Sequence, residues 1–177
     1  MPLAGLVDLV NGWGSTARLE AGEQDWPYPP RQRLTGRLGL TEDAELVTDE
    51  ELTRTADRLH PVFATTDLRQ RVQLVSRLLA ETGVRPALLE DNDGARGIWQ
   101  VDDTRWALLA AAAVALRAHL AGQPGDRLGV CAGRRCADVY IDASPGAHRR
   151  FCSVRCQNRA RVAAFRRRRA SEAAADA

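Results

Sequence analysis

Every cysteine of this 177-residue chain lies in one stretch near its C-terminal end, at Cys131, Cys136, Cys152 and Cys156. The spacing is Cys-x4-Cys, fifteen residues, then Cys-x3-Cys. Two short-loop pairs can each place two sulfurs at corners of a tetrahedron, the arrangement zinc takes with four thiolates. The stretch 127–169 holds too few apolar residues to bury a core of its own, so a bound metal would supply much of its folding energy. The pattern predicts a zinc site made by all four cysteines. A redox dithiol, or unrelated buried thiols, are the competing readings of the same residues.

Charge divides the chain in the same place. Residues 127–169 carry twelve of the 25 basic residues, all arginine, and only two acids, Asp138 and Asp142. The remainder is acidic, so a net charge of +2 conceals a basic end on an acidic body. Such a layout suits nucleic-acid contact, and equally suits a solvated tail or one folded back on its own body. The arginine-only usage and the alanine content fit a GC-rich genome and carry no functional meaning by themselves.

The body, residues 1–122, reads as mainly α with one short β-hairpin. Apolar residues at 3, 6, 7 and 10 suit a short helix ending near Asn11-Gly12. Trp13 follows in a Gly/Ser turn, and 21–33 is a proline-rich loop whose Trp26 and Tyr28 should pin it to the body. The stretch 34–46 suggests a short helical turn. Thr48 and Glu51 form a capping-box pattern for a helix expected to stop at Leu59, before Pro61. Asp67 opens a further helix with Leu68, Val72, Val75 and Leu79 on one stripe and Gly83 beyond its end. Two apolar runs, 85–90 and 97–101, flank Asp91-Asn92-Asp93-Gly94 and predict a hairpin, with Trp99 packed on the body. Asp102 or Asp103 then caps a helix over 106–120, and Gly122, Pro124 and Gly125 form a linker. His60 and His119 read as helix-end or surface residues. Asp91, Asp93, Asp102 and Asp103 read as turn and cap rather than a cation site.

In the basic stretch the expected order is a knuckle, a hairpin and a helix. Val139-Tyr140-Ile141 is β-prone, and Asp142 to Gly146 is a turn in which Asp142 and Ser144 can accept backbone amides. A helix should begin near Ser153 and place Cys156 in its first turn, where the helix N-terminus favours a thiolate. At ~100° per residue, Arg155, Arg159 and Arg166 share one face. Val154, Val162 and Phe165 form a neighbouring face suited to packing on the hairpin, and Cys156, Ala160 and Ala163 a small-residue side towards the metal. Guanidinium groups suit phosphate. The candidate nucleic-acid contacts are Arg149, Arg150, Arg155, Asn158, Arg159 and Arg166, of which one or two are expected to brace the module instead. Residues 170–177 read as a frayed tail.

These residues resemble the CGNR zinc finger, a bacterial family named for Cys-Gly-Asn-Arg at its second cysteine pair. The chain has Cys156-Gln157-Asn158-Arg159 there, with Val130-Cys131, Tyr140-x-Asp142-x-Ser144 and Arg149-Arg150-Phe151-Cys152-Ser153 also similar. Upstream, Leu6 to Asn11 resembles the opening of the α-rich, ABATE-like domain that precedes such fingers. Gln157 departs from the signature glycine, Phe151 from a usual tryptophan and Val154 from a frequent methionine. The resemblance implies a zinc-dependent DNA-binding transcriptional regulator with an N-terminal domain in a sensory role. Trp13, Trp26, Trp99 and Trp106 could line a pocket for a small-molecule ligand of that domain, though core and surface packing is the favoured reading of them.

Other classes stay in view. The basic helix could dock on an acidic protein partner, making the finger a structural module for protein–protein interaction. RNA binding would need more exposed aromatic surface than Tyr140, Phe151 and Phe165 supply. No catalytic signature is present, and four cysteines would close the metal's coordination sphere, so the expectation is no enzyme. Without a signal peptide or a membrane-length apolar run, the expected location is the cytoplasm. Nothing in the residues indicates an oligomeric state.

Overall fold

A computed structural model of the chain describes residues 1–40, 47–92, 94–124 and 127–175. The fold is mainly helical with two small antiparallel hairpins. In order it runs α1 (Leu3–Trp13), α2 (Ser15–Ala21), α3 (Arg31–Leu38), α4 (Asp49–Ala64), α5 (Leu68–Thr82), β1 (Arg85–Asp91), β2 (Gly94–Gln100), a 3-10 turn (Thr104–Trp106), α6 (Ala107–Gly122), β3 (Leu128–Val130), β4 (Val139–Ile141) and α7 (Val154–Ala175). No helix of the described residues is long and apolar enough to cross a membrane.

Helix ends follow their local chemistry. Thr48 Oγ1 accepts the Glu51 amide at 3.2 Å and Glu51 returns the bond to the Thr48 amide at 2.8 Å, the capping box read from the residues. Asp67 caps α5, and Gly83 ends it in the left-handed conformation at φ 62°. Asp103 caps the 3-10 turn that leads into α6, while Asp102 pairs with Arg85 at the base of the hairpin. Among the described residues, neither carboxylate gathers with others into a cation site. The Asp91 side chain and Asp93 lie outside the described residues, as do 41–46 of the expected turn, Gly125 of the linker and the last two residues of the tail.

Two expectations about the helices are corrected. Helix α4 does not stop before Pro61 but runs through it to Ala64. The proline removes one helix hydrogen bond at a cost of about 3 kcal/mol. Continuing the helix buries Val62 and Phe63 completely, and each such side chain is worth ~1.5–3 kcal/mol. On α5, Leu68 and Val72 face solvent; the buried face is Arg71, Val75, Leu78 and Thr82. An arginine inside that face is what displaces the apolar stripe.

The core gathers Leu6, Leu9, Val10 and Trp13 of α1, Leu52, Leu59 and Phe63 of α4, and Leu109 and Leu116 of α6. Trp13 is the last residue of α1 and is fully buried, stacked on Tyr28 at 4.6 Å. Tyr28 in turn lies under the Arg18 guanidinium. Thus Tyr28 pins the proline-rich loop as expected, but Trp26 does not and is 64% exposed. On the β1–β2 hairpin Leu88 is 79% and Trp99 48% exposed, and the Arg117 guanidinium of α6 lies over the Trp99 ring in a cation–π contact at 5.7 Å.

Leu128 of β3 and Val139 of β4 belong to the same core cluster as the helices of the body. The β3–β4 hairpin of the basic stretch thus shares the core of the body. Three polar side chains of the body reach into the basic stretch. Asn11 donates to the Val139 carbonyl at 3.1 Å and accepts the Val139 amide at 2.7 Å, so its carboxamide pairs with β4 as a further strand would. His60 Nε2 lies 3.1 Å from the Ala137 carbonyl. Buried Arg71 donates to the carbonyls of Val62, Thr65 and Leu128.

Asn11→Ala leaves a buried amide and carbonyl of β4 without partners, each worth ~1–3 kcal/mol when unsatisfied. The expected result is a urea midpoint lowered by about 2 kcal/mol of stability with unchanged slope. Asn11→Asp, which keeps the acceptor and loses the donor, should fall between.

Candidate metal centre and basic helix

Hairpin β3–β4 presents the first cysteine pair. Its register sets Leu128 opposite Ile141, Gly129 opposite Tyr140 and Val130 opposite Val139. Tyr140 lies across Gly129, where an added Cβ would meet the ring at 2.7 Å, so only glycine fits beneath it. The Tyr140 hydroxyl donates to the Arg149 carbonyl at 2.6 Å and fastens the chain that leads to the second pair. Beyond β3, the Cys131 amide donates to Asp138 and the Ala132 amide to Arg150, both at 2.8 Å. Arg135 takes a left-handed φ of 55° just before Cys136, closing the knuckle.

Asp142 holds the connecting turn as expected. It is 4% exposed and its two oxygens accept the Ser144 and Arg149 amides at 2.8 and 2.7 Å. The Ser144 side chain first, then the Arg149 amide, holds its pKa down at about 2. The second pair opens α7: Ser153 Oγ accepts the Cys156 amide at 3.3 Å, so the helix starts where Ser153 placed it. Helix α7 then continues through Ala175, past the point where a frayed tail was expected.

The four sulfurs lie within 4.8 Å of one another, and all four cysteines are free. Cys136–Cys152, Cys152–Cys156 and Cys156–Cys136 are separated by 3.7, 3.6 and 3.8 Å. These are far beyond a disulfide's ~2.05 Å. Four sulfurs bonded at ~2.3 Å to a tetrahedral ion stand ~3.8 Å apart, so Cys136, Cys152 and Cys156 are already at the spacing of a tetrahedral metal site, with Cys131 within 4.8 Å of them. The Gly133 amide points at Cys131 Sγ at 3.4 Å, and an added Cβ at Gly133 would press on Cys131 and Cys156.

Electrostatics distinguish the ligands. Burial pushes the Cys136 thiol up to about 12 and raises that of Cys152 as well. Burial acts on Cys156 in the same sense but is outweighed, first by the Arg159 guanidinium donating to its sulfur at 3.0 Å, then by Ser153 and the neighbouring thiols. Its pKa falls to about 7. One sulfur of the cluster is thus prepared as a thiolate, while Cys136 and Cys152 need a cation beside them to ionise.

The candidate nucleic-acid residues separate into groups. Arg155, Asn158, Arg159 and Arg166 line one shallow groove, together with Arg134 and Arg167. Arg150 lies on a second hollow beside His148 and Gln157. Arg149 donates to the carbonyls of Ile141, Phe151 and Cys152 and lies over the Tyr140 ring, so it braces the turn. Arg159 braces Cys156. Arg149 and Arg159 thus have structural partners within the finger. Arg134 was not among the candidates; its place inside the first cysteine loop was the available signal.

The apolar face of α7 is corrected. Val154, Val162 and Phe165 are 71%, 50% and 52% exposed and do not pack on the hairpin. The hairpin's own apolar residues face the body core, and α7 projects from Phe165 onward, where every side chain to Glu172 is exposed. Gln157 donates its amide to Ser153 within an ordinary helical turn, and nothing at that position calls for glycine.

Residues 127–169 match the family model of the CGNR zinc finger. The match coincides with the four-cysteine cluster and its basic helix, so this part of the chain is a zinc finger domain with four cysteines positioned to bind a metal ion. No curated protein matches the chain.

Proposed function

We propose that the four cysteines hold Zn2+ and that the finger binds DNA, the chain acting as a cytoplasmic bacterial transcriptional regulator. Zinc is the ion whose thiolate bond length and tetrahedral preference suit the sulfur spacing. Four thiolates leave it no open position, so its role is structural and no catalysis is assigned.

The projecting α7 is the observation that carries the DNA reading. It has 22 residues, ~33 Å at ~1.5 Å per residue, and its exposed groove gathers arginines. A helix of this kind fits the major groove, where Arg155, Arg166 and Arg167 would meet phosphates and Asn158 could address an adenine edge. Arg134 and Arg150 flank it. Fluorescence anisotropy of zinc-loaded protein on mixed-sequence duplex DNA tests this. Arg155→Ala/Arg166→Ala should weaken binding about tenfold to a hundredfold without loss of zinc. Equal affinity of variant and parent contradicts it.

The exposed Val162 and Phe165 favour one second reading, a structural zinc module that docks on another protein. A partner retained after nuclease treatment and lost in Val162→Ser/Phe165→Ser would support it.

A further inference from the structure

A cleft of about 780 Å3 runs between the finger and the proline-rich loop. Of the five arginines that line it, three come from separate elements: Arg33 of α3, Arg135 of the knuckle and Arg155 of α7. No ion pair or side-chain hydrogen bond links any of these three to a described residue. The neighbouring arginines differ, since Arg37 is paired with Asp8 and Arg159 with Cys156. Guanidinium groups that line one cleft and make no direct ion pair there remain open to a small anion.

Trp26 and Pro29 also line the cleft, and Trp26 is 64% exposed. Fully buried Trp13 is also a lining residue, and its indole N–H has no acceptor. Glu23 and Asp138 lie on the cleft as well. They disfavour a polyanion such as a nucleic-acid backbone and leave room for one small negative group. The volume falls within the ~300–1,000 Å3 of small-molecule sites.

We infer that this cleft binds a small aromatic organic acid, its carboxylate held among Arg33, Arg135 and Arg155 and its ring on Trp26. Arg155 also lines the groove assigned to DNA. On that reading, and only there, the acid and DNA compete for one guanidinium, which makes the acid a ligand that releases DNA.

Titration calorimetry on the zinc-loaded full chain tests the site without DNA. Benzoate and indole-3-acetate are the probes, and benzamide the uncharged control. Saturable binding of at least one acid is expected, with benzamide at least about tenfold weaker. Arg33→Ala and Trp26→Ala should each weaken the acid about tenfold. Both side chains are exposed and outside the finger, so zinc content and unfolding midpoint should stay unchanged. No saturable binding at millimolar probe, or equal binding by both variants and parent, overturns the inference. Acid binding by a protein that fails to bind DNA would uphold the cleft and sink the DNA reading.

Discussion

Cys152→Ser is expected to remove zinc from the chain and to destabilise the body along with the finger. Metal analysis should fall from about one zinc per chain to a small fraction. Binding of structural zinc contributes ~10–16 kcal/mol in isolated fingers, as much as the whole stability of an ordinary domain at ~5–15 kcal/mol. The effect cannot stay local here. Leu128 and Val139 sit in one core with Leu6, Leu59 and Leu116, and the hairpin that carries them is tied to the first cysteine pair. Urea unfolding should shift to far lower denaturant and lose its single transition. Chelation of the parent protein should reproduce the change, and added zinc reverse it, which separates metal loss from a folding defect of the variant. A metal-free protein with the parent's unfolding curve would contradict this.

Arg71→Leu is the second large loss. The side chain is 1% exposed, and its donors reach Val62 and Leu128 at 2.9 and 3.1 Å as well as Thr65. Those carbonyls belong to the end of α4, the turn after it and β3. Removing the guanidinium strands acceptors on all three, and breaking such a buried charged network costs ~3–5 kcal/mol. Arg71→Lys should recover little, because a single ammonium cannot span carbonyls that a planar fork reaches together. Equilibrium urea unfolding reads both variants, and a change within about 0.5 kcal/mol for Arg71→Leu would show that the network carries no load.

The site was more legible in the sequence than its setting. Cysteine spacing, the Asp142 turn and the Ser153 start are local signals, and each depends on residues a few positions apart. The capping box at Thr48 and Glu51 and the Gly83 stop are of the same kind. What sequence pattern could not show is contact at long range through polar atoms. Asn11 and His60 sit on helices where an amide or imidazole reads as surface, yet both hold backbone of the finger. Arg71 interrupts an apolar stripe and looks like its solvent edge, whereas its bonds to three carbonyls draw it inside. Gly122, Pro124 and Gly125 read as a domain linker, and nothing local reveals that β3 and β4 share the body's core. The face of Val162 and Phe165 failed for the opposite reason. Helical periodicity identifies a shared face but not whether anything lies opposite it, and both side chains stand exposed.

The central claim is that a metal-organised helix grips the phosphates of DNA, and its most direct test is the salt dependence of binding. Affinity of zinc-loaded protein for duplex DNA, plotted as log K against log salt, loses about 0.9 per phosphate neutralised. With Arg155, Arg166, Arg167 and their flanking arginines engaged, a slope of about −3 or steeper is predicted, shallower by about 2 in Arg155→Ala/Arg166→Ala. A flat line, or a slope unchanged in that variant, would contradict it.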